Sequence, residues 1–158
     1  MISVSKTVPV NPAGAEPRLT RADVWRGLEA KAGNALPFVP AMTYCEVKSR
    51  SGNVIEREIE LRGERFGERV TLDEPRSVVF ERTWGSVLGT IHNDILEEPP
   101  GELSLRFSFD LELEGVEPGS AEEREYQETM SQDYLKAVDA TLAAIRRWVR
   151  EGLAGVSS

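Results

Sequence analysis

From about residue 42 to residue 114, apolar and polar side chains alternate with a period of two, and only short turn signals interrupt the run. Those signals fall at Ser51-Gly52-Asn53, Arg62 to Gly67, Asp73-Glu74-Pro75, Trp84-Gly85 and Glu97 to Gly101. A parallel crossover needs a dozen or more residues, so punctuation this short forces antiparallel hairpins. Six strands fit the run. The last is the clearest: Leu103, Leu105, Phe107, Phe109, Leu111 and Leu113 alternate with Glu102, Ser104, Arg106, Ser108, Asp110 and Glu112. One face of such a strand is buried and the other is wet and acidic. A sheet with one apolar face has to cover it, and the chain must supply the cover.

The only segment long enough lies at the C-terminus. Gly115 to Gly119 break the strand pattern, and Ser120 with Glu123 forms a capping box, with Glu122 also in the positive first turn. Tyr126, Met130, Tyr134, Ala137, Thr141, Ile145 and Trp148 then make one stripe, which Leu135, Val138, Leu142 and Val149 widen. The pattern predicts a helix to about Leu153, with Gly152 near its stop. Some thirty residues span about 45 Å, enough to cross a whole sheet. Arg146, Arg147 and Arg150 on its late turns complement the negative end of the helix dipole.

Ahead of the sheet run, Met1 to Val10 alternate and read as one more strand, ended by Pro9 and Pro12. Thr20 can cap a helix with Asp23 three residues on, and Leu19 and Val24 can staple its first turn. Val24, Trp25, Leu28 and Ala32 form its apolar face, and Gly33-Asn34 is its stop. Gly27 inside it costs about 1 kcal/mol relative to alanine and hints at close packing. Ala35 to Pro40 hold two prolines, leaving room for at most a short second helical turn. The expected order is therefore β-α-α-β6-α. This is an α+β fold, a seven-stranded curved antiparallel sheet around a long C-terminal helix, as one domain over residues 1–158. A bent sheet cannot touch a straight helix along its whole length, and the gap is where small-molecule sites tend to lie.

Composition narrows the function. The net charge of −8, from 27 acidic and 19 basic residues, repels phosphate backbones, so nucleic acid and anionic membrane surfaces are poor partners. No stretch reaches the length of a membrane span, and the alternating N-terminus does not read as a signal peptide. Cys45, the single cysteine, forms no internal disulfide, which favours a reducing, cytoplasmic setting. One histidine, His92, and one cysteine do not assemble a metal site from the usual ligands. No phosphate-binding glycine loop or nucleotide fingerprint is present, so no cofactor is expected.

The layout resembles the helix-grip fold of START-related lipid-binding and birch-pollen-allergen-like proteins, the SRPBCC superfamily. Phe38-Val39-Pro40, Cys45-Glu46-Val47, Gly52 through Arg57-Glu58, the Gly89 to Ile95 segment with Asn93, Pro100-Gly101-Glu102-Leu103 and Gly119-Ser120-Ala121-Glu122-Glu123 carry a further likeness, and in them the sequence resembles the AtaL-like group of small proteins. The glycine-rich loop of the plant allergens is absent. The resemblance implies a hydrophobic site between sheet and helix, and no particular reaction.

Strand parity says which side chains face that site. Ile59 and Leu61 point inward with Arg57, Val70 follows on the next strand, and Phe80 shares parity with Arg82 and Trp84. Ile91 shares parity with Asn93, Phe107 and Phe109 come from the last strand, and Met130 and Tyr134 from the helix. Arg57, Arg82 and Asn93 would be polar anchors for an amphipathic ligand, the arginines partnered by Glu46, Glu81 or a ligand carboxylate. Alternatively the arginines lie at strand ends with their heads in water. His92 falls on the outer parity, and Glu56, Glu58 and Glu60 form an outward acidic row.

Three functions fit this reading: a binding module for a hydrophobic or amphipathic small molecule, an enzyme of the polyketide cyclase or aromatase type, and a protein-interaction module with a vestigial pocket. In the enzyme reading, Arg57, Asn93 and Tyr134 are the candidate acid–base or orienting groups.

Overall fold

The computed structural model describes residues 1–152. Strand β1 (Ile2–Pro9) leads to helix α1 (Arg21–Gly33). Six strands follow: β2 (Met42–Ser51), β3 (Val54–Leu61), β4 (Glu64–Asp73), β5 (Ser77–Trp84), β6 (Val87–Glu97) and β7 (Leu103–Leu113). Helix α2 (Ala121–Arg150) ends the order. The strands form one antiparallel sheet in the order β1-β7-β6-β5-β4-β3-β2. Each strand from β2 to β7 pairs with its sequence neighbour, and β1 closes the far edge on β7, with Ile2 opposite Leu111 and Pro9 opposite Ser104. This is the expected α+β helix-grip arrangement. The second, short helix is reduced to one turn, in which the Phe38 and Val39 amides donate to the Ala35 carbonyl.

Local signals explain the elements. Thr20 caps α1 reciprocally with Asp23, and Leu19 and Val24 are both fully buried, as a hydrophobic staple requires. Ser120 Oγ accepts from the Glu123 amide, but the Glu123 carboxylate reaches one residue further back than a capping box does, to the Gly119 amide. Glu151 caps the other end of α2 through the Arg147 carbonyl; the helix stops at Arg150, short of the expected Leu153, with Gly152 just beyond it at a φ of 73°. Arg146 donates to the Val10 carbonyl and Arg150 to the Glu16 carbonyl. Besides their electrostatic role, these late arginines tie α2 to the loop before α1.

The core fills the concave side of the sheet. Leu105, Phe107, Phe109 and Leu111 are buried on β7, and Ala137, Val138, Thr141, Leu142, Ala144 and Ile145 on the C-terminal half of α2. Gly27 brings α1 against that half, since a β-carbon there would stand 2.2 Å from Ile145 Cδ1. This is the close packing its presence in a helix suggested. On the convex side, Arg69 pairs with Glu56 and Glu81, and Arg65 with Glu58 and Glu60 while stacking on Tyr44. Each glutamate of the outward acidic row is thus ion-paired with an arginine of β4. Among the described residues no helix is long and apolar enough to cross a membrane.

The turn after β3 is tighter than the sequence suggests. Arg62 takes a left-handed φ of 49° and Gly63 one of 83°, and β4 starts at Glu64. Most of the stretch expected as loop is therefore strand, and this sets the inward parity of Phe66 and Glu68.

Candidate functional site

The C-terminal half of α2 packs on α1, while its N-terminal half stands off from β3, β4 and β5 and leaves a cavity of about 330 Å³. That volume is within the range of small-molecule pockets. Ile59, Phe66, Phe80, Ile91, Met42 and Met130 supply apolar wall. At the mouth, Arg62 of the β3–β4 turn pairs with Asp133 of α2, beside Glu64, Glu122 and Glu125.

One wall is polar and buried. Arg57 Nε and Nη2 donate to Glu68 Oε1 at 3.0 and 2.8 Å, and Arg82 Nε donates to Glu68 Oε2 at 3.0 Å. Arg57 Nη1 donates to the Lys31 and Ala32 carbonyls, so it caps the C-terminal end of α1. Arg82 Nη2 donates to the Tyr134 hydroxyl at 3.0 Å. Lys31 Nζ donates to Asn93 Oδ1 at 3.0 Å and lies 5.6 Å from the centre of the Phe80 ring. Aromatic faces back the cations: Arg57 Cζ is 5.3 Å from the Phe80 centroid and Arg82 Cζ 4.3 Å from that of Phe66.

Both arginines are only 4% exposed, so the alternative of heads in water does not hold. Their partner is neither Glu46, which bonds Tyr44 and Lys48 on the outer face, nor Glu81, which pairs with Arg69. It is Glu68. Burial alone would raise the Glu68 pKa, but the charges and hydrogen bonds of Arg57 and Arg82 hold it below the usual carboxylate range. Burial, reinforced by the Arg57 charge, lowers Lys31 from 10.5 to about 8, with Glu68 opposing. Burial also pushes the Tyr134 phenol up to about 12, against the pull of Arg82.

Three cationic side chains thus stand on the cavity wall beside one carboxylate, which pairs with Arg57 and Arg82 and leaves Lys31 without an ion pair among the described residues. The uncommitted groups are all donors. Arg82 Nη1, Asn93 Nδ2 and the Tyr134 O–H donate to no protein partner among the described residues, and Lys31 uses one of its three N–H bonds. Each acceptor atom of the Glu68, Asn93 and Tyr134 side chains already receives a protein donor. The wall suits a ligand that brings oxygen lone pairs or negative charge.

The structure brings nine of the expected residues to the cavity: Arg57, Ile59, Leu61, Phe80, Arg82, Ile91, Asn93, Met130 and Tyr134. Val70 is buried but does not line it. Phe107 and Phe109 lie behind Tyr134 and pack on its ring at 6.4 and 5.4 Å, fixing its position without reaching the cavity. Trp84 is a correction. The pairing passes from Glu68↔Arg82 to Gly67↔Trp84, leaving Thr83 as an extra residue that reverses the parity. Trp84 therefore turns to the convex face, 48% exposed, over Gly67, where a β-carbon would lie 2.2 Å from its indole nitrogen.

Lys31 and Glu68 escaped sequence reasoning. Lys31 follows Val24 and Leu28 at helical spacing, so the apolar face of α1 already pointed to it. Glu68 shares parity with Phe66, Val70 and Leu72 once the turn is closed at Gly63.

Residues 4–152 match the family model described as AtaL, Acetylaranotin biosynthesis cluster protein L. Acetylaranotin biosynthesis cluster protein L of Aspergillus terreus (strain NIH 2624 / FGSC A1156) is 26% identical over 154 residues, covering 95% of this chain and 91% of that protein. Among solved structures, the Zhui aromatase/cyclase from Streptomyces sp. R1128 matches with a TM-score of 0.73 at 18% identity, over 94% of this chain and 95% of its own. A START superfamily protein from Mycobacterium smegmatis matches with a TM-score of 0.68 at 16% identity, over 92% and 97%. At such identities the two structures share the fold.

Proposed function

The chain belongs to the AtaL family, and we propose that it holds a small amphipathic molecule in the cavity between sheet and helix. The apolar body lies among Phe80, Ile91 and Met130, and an oxygen-bearing end, a carboxylate or an enolate, meets Lys31, Asn93, Arg82 and Tyr134. The observation that carries this reading is the donor-only wall with its excess of positive charge. The acidic chain and lone cysteine support a cytoplasmic setting without nucleic acid.

A cyclase-type reaction is the second reading, and the same wall favours it. A developing enolate oxygen would be stabilised by donors already in place, and a phenol at about 12 stays protonated and able to donate. Aromatase/cyclases are also among the proteins of this fold.

Native mass spectrometry of freshly purified protein, followed by extraction, tests the binding reading. A co-purified acid or enol supports it. If the protein is empty, a thermal-shift screen of aromatic and fatty acids decides, since a ligand at a hundredfold excess over its Kd stabilises by about 2.7 kcal/mol. No shift with any acid overturns the reading. Conversion of a bound compound, with Tyr134→Phe lowering turnover more than affinity, favours the enzyme.

A further inference from the structure

We propose that Lys31 condenses reversibly with an aldehyde or ketone carbonyl of a molecule seated in the cavity, forming a Schiff base. This rests on the cavity being a ligand site and adds a covalent step there. The chain has four lysines; Lys6, Lys48 and Lys136 are exposed, and Lys31 alone is buried. It lies on the cavity wall and makes no ion pair among the described residues; the nearby carboxylate, Glu68, is gripped by Arg57 and Arg82. Its one hydrogen bond is to a neutral amide, Asn93, and Phe80 lies beneath it. Arg57 holds the Lys31 carbonyl, which fixes the backbone from which the amine projects.

An amine desolvated in an apolar pocket beside another cation is the arrangement that makes lysine a nucleophile near neutral pH. Burial, with the Arg57 charge beside it, lowers the Lys31 pKa to about 8. In the reaction a C–N bond forms as the carbonyl π bond opens, and the carbinolamine then loses its oxygen as water. Overall the ammonium and the carbonyl give an iminium and one water, the two protons of that water coming from the ammonium, with no redox change. Tyr134 and Arg82 on the same wall are donors that can polarise the carbonyl oxygen.

The test incubates the 158-residue chain with benzaldehyde, reduces with sodium cyanoborohydride, and maps the benzylated amines by peptide mass spectrometry. The proposal expects Lys31 to be modified roughly ten times or more faster than each exposed lysine. Benzoate in excess should protect it. Labelling confined to Lys6, Lys48, Lys136 and the N-terminus, with Lys31 unmodified, overturns the proposal. Mapping on the wild-type chain avoids dependence on a variant that fails to fold, and Lys31→Arg, followed by circular dichroism, should lose only the cavity label. If benzoate raises the melting temperature while Lys31 stays unlabelled, the covalent step fails and the binding reading stands. If neither occurs, both fail.

Discussion

Arg57 grips one oxygen of Glu68 through Nε and Nη2 at 3.0 and 2.8 Å, with both side chains buried. The other Glu68 oxygen takes Arg82. One carboxylate therefore compensates two interior guanidinium groups. Glu68→Gln keeps the volume and removes the charge. It should destabilise the protein by about 3–5 kcal/mol, because it leaves buried cations without compensation. Urea unfolding measures this, and a change below about 1 kcal/mol would place the pair in the class of weak surface bridges.

Lys31 makes stability depend on pH with a definite sign. In the unfolded chain it titrates near 10.5 and in the folded one at about 8. Between those values the unfolded state binds more protons, so stability rises with pH, by on the order of 3 kcal/mol for the whole window. Below pH 8 both states are protonated and the penalty is complete. Tyr134 acts oppositely: its folded value of about 12 lies above the ordinary 10, so its contribution is lost as pH rises through that range. Urea midpoints of the wild type should rise from pH 7 to 9.5, and those of Lys31→Met should lack this rise.

Gly27→Ala trades a helix-propensity gain of about 1 kcal/mol against overpacking on Ile145 that typically costs about 1–3 kcal/mol. The β-carbon would lie 2.2 Å from Ile145 Cδ1 and 2.4 Å from Cγ1. Net destabilisation is expected, and Ile145→Ala should cost less in the Gly27→Ala background than in the wild type. A double-mutant cycle measures this coupling; additive losses would mean that the two helices do not meet there.

The outward turn of Trp84 separates two aromatic residues that parity alone puts together. Trp84→Ala should leave the thermal shift given by benzoate unchanged, whereas Phe80→Ala should reduce it, because only Phe80 lines the cavity. Equal losses would contradict the bulge at Thr83.

Most of the architecture was legible because it depends on repeated, local signals. Alternation from Leu103 to Leu113, the Thr20–Asp23 box and the broad stripe of α2 each recur along the chain and agree with one another. On the strands the site was legible where parity ran unbroken, as on β3 and β6, where Arg57, Ile59, Ile91 and Asn93 turn inward, and on α2 the helical stripe gave Met130 and Tyr134. One inserted residue, Thr83, was enough to misplace Trp84. Glu68 lay hidden in a segment whose charges and glycines read as loop. Lys31 was overlooked because a lysine on a helix usually faces water, and only its interior surroundings make it an anchor.

We propose that the buried donors select an oxygen anion. The most direct test is calorimetric titration with an aromatic carboxylic acid that fits the cavity and with its methyl ester, which has the same body and no charge. The acid should bind at least about tenfold more tightly, since charge-assisted hydrogen bonds are roughly twice as strong as neutral ones. Arg82→Met should remove most of that preference. An ester that binds as well as the acid, or better, would contradict the account and leave the cavity a purely apolar container.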